Sequence, residues 1–232
     1  MEKVLLSWSS GKDSAWTLHV LRRRAEVEVV GLLTTINTHF NRVAMHGTRK
    51  ALVEEQANAA GLPLWEVPLP WPCSNEMYET AMAKACRSAL ASGIESIAFG
   101  DLFLEDVRRY REDRLRGTGL SPIFPLWTRN TQELIQEMLE AGLGARIVCA
   151  DPTKIPAEFV GQDLDYDLLR QLPAGVDPCG ENGEFHTCVH RGPMFQRSID
   201  VENGETVTRD GFVYADLIPV RGACPDVASA ST

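Results

Sequence analysis

The fold is indicated most directly by the stretch KVLLSWSSGKDSAWTLHVL, residues 3–21. Its first part, residues 3–8, is a short apolar run that predicts a β-strand, and the apolar residues after Asp13 recur at helical spacing. Between them lies the turn SSGKDS, residues 9–14, which consists mostly of small residues. The order is therefore strand, tight turn, helix.

The same alternation of strands and helices continues as far as Ala150. Apolar runs predict further strands, and amphipathic segments that end at glycines predict helices. The expected strands are 27–36, 64–67, 94–99 and 146–150, and the expected helices are 51–60, 76–92, 105–116 and 131–141. Parallel neighbours need crossover connections, so the pattern predicts an α/β fold with a doubly wound, Rossmann-like (HUP-like) parallel sheet over residues 1–150.

The pattern changes after Asp151. Short strands are expected at 184–190, 194–201 and 206–220, with Asn203-Gly204 as a hairpin signal between the last two, because both central residues of a type I′ turn need positive φ. We therefore expect a small α+β C-terminal subdomain with antiparallel strands at 151–221, on the substrate side. The small, polar stretch 222–232 is expected to be a flexible tail.

The composition narrows the classes of partner. The 232 residues include 23 Lys and Arg against 32 Asp and Glu, a net charge of −9, which argues against nucleic acid as the main partner. No apolar run approaches the roughly 18 residues of a membrane span, and the start is too soon polar for a signal peptide. The six cysteines form no CxxC pair, which favours reduced thiols. We expect a cytoplasmic protein without a membrane partner.

The turn at residues 9–14 is the first candidate for chemistry. It is expected at the carboxyl end of a strand and the amino end of a helix, where backbone N–H groups and the helix dipole favour an anion. Lys12 adds a full positive charge. A Walker A loop is excluded, because Leu6 stands where its first Gly belongs and Asp13 follows the lysine in place of Ser or Thr.

SSGKDS resembles the pyrophosphate loop SGGKDS of the adenine-nucleotide alpha-hydrolase superfamily, whose members cleave ATP between the α and β phosphates. Ser10 replaces the first Gly of that motif and is expected to leave one extra side chain near the phosphates. Two further segments, FGDLFLEDVR at 99–108 and DPCGENGEFHT at 177–187, look like signatures of the diphthine-ammonia ligase family in its bacterial-type form. Together the resemblance covers roughly residues 3–220.

The resemblance implies an ATP-dependent amide ligase. A substrate carboxylate, small or borne by a protein, would attack the α phosphate, pyrophosphate would leave, and ammonia would displace AMP from the acyl adenylate. Lys12 and the loop amides would neutralise the leaving pyrophosphate, and Asp13 is the candidate ligand for Mg²⁺. The cofactors implied are thus ATP and Mg²⁺.

The resemblance, together with the expected positions of residues at the sheet edge, gives residues their expected roles. The expected nucleotide-binding residues are Ser9, Ser10, Gly11, Lys12, Asp13, Ser14, Gly100 and Asp101. The expected catalytic residues are Lys12, Asp13, Glu181 and Glu184. The expected substrate-binding residues are Asn182, His186, Thr187 and Arg108. Among the arginines at 108–116, Arg108 is chosen because it lies nearest Gly100-Asp101, whereas the others suit a solvated face.

Other interpretations remain open. Gly100-Asp101 also suits an ordinary strand-end turn, and 181–187 suits a charged hairpin tip. His186, Cys188 and His190, with Cys179 upstream, are zinc-type ligands, although their spacing matches no common zinc pattern. At the level of the whole chain, the alternatives are a tRNA-modifying enzyme with the same loop or an adenine-nucleotide sensor without turnover. A homo-oligomer is possible in each case.

Overall fold

The computed structural model describes residues 1–44 and 47–220; the tail predicted at 222–232 lies outside these residues. Within them, the strands are β1 (Glu2–Ser7), β2 (Val27–Asn37), β3 (Arg42–Val43), β4 (Leu64–Leu69), β5 (Ser96–Ala98), β6 (Ser121–Ile123), β7 (Gly144–Ala150), β8 (Phe185–Arg191), β9 (Val201–Arg209) and β10 (Phe212–Pro219). The α-helices are α1 (Lys12–Arg22), α2 (Lys50–Ala60), α3 (Asn75–Ala91), α4 (Glu105–Leu115), α5 (Thr131–Glu140) and α6 (Tyr166–Gln171). A 3-10 turn lies at Ala157–Phe159.

The first sheet is parallel apart from one short strand. Its pairings give the order β4-β2-β1-β5-β6, and β3 adds antiparallel pairing to the end of β2. The chain leaves β1 toward β2 on one side and leaves β5 toward β6 on the other. The strand order therefore reverses between β1 and β5, which is where ligands bind in open sheets of this kind.

Helices cover both faces of this sheet because side chains alternate along each strand. Val4 and Leu6 of β1 join one apolar core with α1, α2 and α5, whereas Leu5 joins a second core with α3 and α4. The predicted fold class, a doubly wound parallel sheet followed by a small antiparallel element, is confirmed.

The second sheet is antiparallel and has the order β8-β7-β10-β9. The sequence pattern placed the strand at 146–150 in the parallel sheet, and this was wrong, since β7 pairs with β8 and β10 instead. An apolar run that follows a helix has the same appearance whichever sheet it joins, so only the long-range pairing decides. The domain boundary expected at residue 150 remains a prediction.

The hairpin turn between β9 and β10 lies at Asp210-Gly211, with φ of 52° and 84°. The expectation that Asn203-Gly204 forms this turn, after a strand at 194–201, was wrong. Those two residues lie inside β9, where the register shifts against β10 and a Cβ on Gly204 would meet Asp216 at 3.1 Å. The Asn-Gly pair thus accommodates a β-bulge, which is the other common use of glycine in a strand.

Gly100, directly after β5, lets the start of α1 approach the sheet. A Cβ there would lie 2.9 Å from the carbonyl carbon of Asp13 and 3.0 Å from the amide nitrogen of Ser14. These are backbone atoms at the beginning of a helix, so they cannot move aside alone. The absence of a side chain at this position fixes the distance between α1 and the end of β5.

We predict that Gly100→Ala lowers the free energy of unfolding by about 1–3 kcal/mol, the usual cost of forcing an extra methyl group into a packed site. Urea denaturation of the variant and the parent protein measures the difference. An unchanged midpoint would show that α1 is free to shift away from β5.

Candidate active site

A cleft opens between the carboxyl ends of β1 and β5, with a volume of about 210 Å³. The β1–α1 turn forms one wall, the β5–α4 connection and α4 form the second, and residues 179–187 form the third. Of the site residues that the sequence predicted in the first turn, those that line the cleft are Ser9, Gly11, Lys12, Asp13 and Ser14. Of the predicted site residues in later segments, those that line the cleft are Gly100, Asp101, Glu181, His186 and Thr187. The three segments quoted for the resemblance therefore meet at one site.

Ser10 adopts the left-handed conformation, with φ of 73°. This geometry costs a non-glycine residue roughly 1–2 kcal/mol, which explains why a glycine suits the position. The side chain turns away from the cleft and is fully buried, with its hydroxyl 2.8 Å from Oγ1 of Thr48. The extra side chain expected near the phosphates is therefore directed elsewhere, and only the backbone of Ser10 belongs to the turn that faces the cleft.

Gln56, on α2, holds this turn in place. Its Nε2 donates to the carbonyl oxygens of Ser10 at 3.1 Å and Val189 at 2.7 Å, and its Oε1 accepts from the indole of Trp8 at 2.8 Å. The side chain is fully buried. Sequence reasoning missed it, because a glutamine on the inner face of a helix gives no pattern of its own. A polar residue among the apolar positions of α2 was the available signal.

Lys12 is buried at the first position of α1. Its backbone N–H donates to Oγ1 of Thr187 at 3.1 Å, and its ammonium group donates to Oδ2 of Asp13 at 2.9 Å and to the carbonyl oxygen of Cys179. Burial alone would lower the pKa of Lys12, but the attraction of Asp13 and its acidic neighbours outweighs it and raises the pKa above its ordinary value. Lys12 is therefore charged at neutral pH.

Two carboxylates near Lys12 each have an unused oxygen. Within the described chain, Oδ1 of Asp13 and Oδ2 of Asp101 are buried and accept no hydrogen bond. Burial raises the pKa of both groups, against the opposing attraction of Lys12 for Asp13 and of Arg111 for Asp101. Buried acceptors without hydrogen bonds are costly, so Oδ1 of Asp13 suits a cation or a donor brought by a ligand, whereas Oδ2 of Asp101 already has the Arg111 guanidinium at 3.6 Å.

Arg111 is a cleft residue that the sequence did not single out. Its Nε lies 3.6 Å from Oδ2 of Asp101, and its guanidinium carbon lies 5.0 Å from the centre of the Phe99 ring. Arg108, the expected candidate, instead donates to Glu112 and packs over the rings of Phe124 and Trp127, at 4.9 and 4.8 Å. Proximity to Asp101 along the chain was a poor guide to which arginine faces the cleft.

Glu181 joins the third wall to the second. Its Oε1 accepts from the backbone N–H of Leu102 at 2.9 Å, and its own N–H donates to Oδ2 of Asp177 at 2.9 Å. Burial, with the added repulsion of Asp13 and Asp101, raises the pKa of Glu181 to about 7. This carboxyl group can therefore gain or lose a proton near neutral pH.

Glu184 and Asn182 shape the turn that carries Glu181 and do not line the cleft. Oε1 of Glu184 accepts from the backbone N–H of Asp177 at 3.1 Å and from Nδ2 of Asn182 at 3.3 Å. The Asn182 carbonyl accepts from Lys154 at 2.8 Å. Glu184 is itself buried, so its contacts are with the turn and not with the cleft, and its catalytic role stays a prediction.

His186 lines the cleft from β8. Burial, with the nearby charge of Lys12, lowers the pKa of His186 to about 4, so its imidazole is neutral at pH 7. The alternative zinc set does not assemble: Cys188 is buried with Gln56 at 3.5 Å, and His190 lies 3.2 Å from Asp163. In the described part of the chain, no three His, Cys, Asp or Glu side chains are grouped as a metal site.

The described residues include five cysteines and six α-helices. Cys73, Cys86, Cys149, Cys179 and Cys188 are all free thiols. Across residues 1–44 and 47–220, no helix has both the length and the apolar character needed to cross a bilayer.

Comparison with known proteins gives matches along most of the chain. Residues 2–122 match the family model of the diphthamide synthase N-terminal domain, and residues 130–216 match that of the diphthamide synthase C-terminal domain. The diphthine-ammonia ligase of Bos taurus is 32% identical over 134 residues, which are 55% of this chain and 50% of that protein. The Homo sapiens protein is 30% identical over 134 residues, with the same shares. The chain spans about half the length of these curated relatives.

We predict that Gln56→Met destabilises the protein by about 1–3 kcal/mol, because the carbonyls of Ser10 and Val189 and the indole of Trp8 lose buried partners. It should also weaken the binding of a non-hydrolysable ATP analogue, since the Ser10 carbonyl then keeps only its hydrogen bond from the backbone N–H of Val189. Urea denaturation and titration calorimetry measure the two effects. Asn58→Met, which changes an exposed amide on the same helix, is the matched control and should alter neither.

We predict that stability depends on pH through Glu181. Its pKa is raised from 4.5 to about 7 on folding, so between these values the folded state binds more protons than the unfolded state. The free energy of unfolding therefore decreases as the pH rises from about 4.5 to 7, and Glu181→Gln removes this decrease and is the more stable form above pH 7. Denaturation curves of the parent protein and of Glu181→Gln at pH 5, 6, 7 and 8 measure the free energy of unfolding of each. The same dependence on pH in both proteins would contradict the raised pKa of Glu181.

Proposed function

The chain belongs to the diphthamide synthase family, and on this basis we propose that it is an ATP-dependent ligase that joins ammonia to a carboxylate, with AMP and pyrophosphate as products. The observation that carries the proposal is the buried, charged Lys12 at the start of α1, in a cleft at the reversal of the strand order. The name of the relatives, diphthine-ammonia ligase, supports a carboxylate and ammonia as the other two reactants.

The phosphates of ATP fit the wall formed by residues 9–14. α1 begins at the cleft, and its dipole and the Lys12 ammonium both favour an anion there. The N–H of Lys12 already donates to Thr187, so the amides that follow it are the ones available to a phosphate. The cleft of about 210 Å³ is smaller than the roughly 300–1,000 Å³ of ordinary ligand pockets. It therefore suits the phosphates and the reacting carboxyl group rather than a whole nucleotide. Lys12 must exchange the Cys179 carbonyl for a phosphate oxygen.

Asp13 is the residue that suits Mg²⁺. Its buried Oδ1 accepts no hydrogen bond in the described chain, and Mg²⁺ in nucleotide sites is commonly held by one or two carboxylates together with phosphate oxygens. The ion would supply positive charge to the pyrophosphate as it leaves. Asp101, whose Oδ2 accepts no hydrogen bond but lies 3.6 Å from Nε of Arg111, is the second carboxylate in the cleft.

The proposed reaction has two steps. A carboxylate oxygen of the substrate attacks the α phosphorus of ATP, the bond to the bridging oxygen of the β phosphate breaks, and pyrophosphate leaves an acyl adenylate. Ammonia then attacks the acyl carbon, AMP leaves with the electron pair of the broken C–O bond, and one proton is released. Lys12 stabilises the charge that develops on the pyrophosphate, a kind of stabilisation that is usually the largest contribution to catalysis.

Glu181 is the proposed proton acceptor for the second step. Its pKa of about 7 suits a base at neutral pH, and Leu102 fixes one of its oxygens at the edge of the cleft. Ammonium has to lose a proton before or during its attack, and Glu181 lines the same cleft as Lys12. Glu184 is proposed as a positioning residue that shapes the Glu181 turn, and His186 and Thr187 as neutral contacts to the substrates.

We predict that Lys12→Met reduces pyrophosphate release at least about 100-fold, the effect of losing one strong electrostatic contact to the transition state. Incubation of the protein with [α-³²P]ATP, ammonium and a panel of carboxylates, followed by separation of the nucleotides, measures both the rate and the product. The parent protein should form AMP.

Lys84→Met, which removes an exposed lysine on α3, is the matched control and should retain full activity. Formation of ADP in place of AMP would exclude the proposed reaction. Nucleotide binding without pyrophosphate release for any carboxylate would instead favour the nucleotide sensor.

A further inference from the structure

The wall of the cleft formed by the β5–α4 connection and α4 differs chemically from the wall that carries Lys12. Leu104, Val107 and Arg111 all line it, and they stand at spacings of three and four residues, which places them on one face of the start of α4. Phe99, at the end of β5, adds an aromatic ring to the same wall. Apart from Arg111 and the carboxylate of Asp101, which lie 3.6 Å apart, the side chains of this wall are apolar.

The described residues that line the cleft include both positively and negatively charged side chains. Lys12 and Arg111 carry the permanent positive charges, and they come from different walls of the cleft. The proposed reaction brings together two anions, the phosphates of ATP and the substrate carboxylate. Lys12 lies at the helix amino terminus, where the phosphates belong, which leaves Arg111 for the second anion.

The surroundings of Arg111 hold its guanidinium in a fixed orientation. The Phe99 ring lies 5.0 Å from the guanidinium carbon, which is within the range of cation–π contact. Oδ2 of Asp101 lies 3.6 Å from Nε, which is an ion pair but too long for a hydrogen bond, and the Tyr78 side chain also interacts with Arg111. Nε itself makes no hydrogen bond among the described residues. A guanidinium has five N–H donors and binds carboxylates in a planar, bidentate manner. The group thus has donor capacity to offer a ligand.

We propose that Arg111 binds the carboxylate of the substrate and that Phe99, Leu104 and Val107 contact an apolar group next to it. The substrate class is then a carboxylate whose adjoining carbons are hydrocarbon, aliphatic or aromatic, rather than a polyanion or a sugar acid. This inference rests on the proposed function, because it assigns the second reactant of that reaction to a wall of the same cleft.

The test uses butyrate as the probe, with the full-length protein saturated by a non-hydrolysable ATP analogue and Mg²⁺. Formate carries the same charge without the hydrocarbon, and butyramide has the hydrocarbon without the charge. Ligand-observed NMR titrations give the three affinities. Butyrate should bind more tightly than both, because it alone meets the guanidinium and the apolar wall together.

Arg111→Met should weaken butyrate binding about tenfold or more, the effect of losing charge-assisted hydrogen bonds, and leave the affinity for the ATP analogue within twofold. Arg111→Lys should restore part of the loss, since it returns the charge without the planar donors. Arg114→Met is the matched control on the same helix, because Arg114 is half-exposed and paired with Glu79. Its butyrate affinity should equal that of the parent.

These experiments distinguish failure of the carboxylate subsite from failure of the proposed function. Equal binding of butyrate and butyramide, or no loss in Arg111→Met, overturns the carboxylate subsite while the ATP analogue still binds. Failure of the parent protein to bind the analogue overturns the proposed function itself. Should Arg111→Met fold poorly by circular dichroism, Arg111→Lys and the three-ligand comparison decide the question on folded protein.

Discussion

The carbonyl oxygen of Ser10 is the point on which the site depends. It accepts two hydrogen bonds, from Nε2 of Gln56 and from the backbone N–H of Val189 at 2.9 Å. These donors come from α2 and β8, so one backbone atom joins the first sheet, its flanking helix and the second sheet. Because these two hydrogen bonds hold the carbonyl on the side away from the cleft, Ser10 retains its left-handed conformation and the rest of the turn faces the cleft.

The electrostatics of the cleft follow from this arrangement. Asp13, Asp101 and Glu181 approach Lys12 and Arg111 from three separate segments, and burial raises the pKa of each of the three carboxyl groups. With all of them ionised, the acids would outnumber the permanent cations. A site of this kind favours ligands that bring cations with them, as a nucleotide with Mg²⁺ or an ammonium ion does.

The features predicted well from the sequence are those that depend on the order of neighbouring segments along the chain. Strand, turn and helix follow one another within residues 3–21, so spacing alone indicates an anion site, and the three segments carrying the resemblance do meet. The predictions that were wrong concerned long-range pairing. β7 belongs to the second sheet, and Asn203-Gly204 forms a bulge, whereas Asp210-Gly211 forms the hairpin turn. Both outcomes depend on which strands pair, and no single segment contains that information.

The same limit applies to side chains within the site. Arg108 and Arg111 both occur in a highly charged helix, and only the packing of α4 against β5 decides that Arg111 faces the cleft. Gln56 had no motif, because its three partners are distant in sequence. Glu184 belongs to a recognisable motif but is buried beneath the turn, so membership of the motif did not distinguish a supporting residue from one that lines the cleft.

The most direct test of the central claim is a crystal structure with a non-hydrolysable ATP analogue and Mg²⁺. The account predicts phosphate oxygens within hydrogen-bond distance of Lys12 Nζ and of the first amides of α1. It also predicts that Lys12 is released from the Cys179 carbonyl and that the α phosphate faces the wall that carries Arg111. Phosphates bound elsewhere, with Lys12 still donating to Cys179, would contradict it.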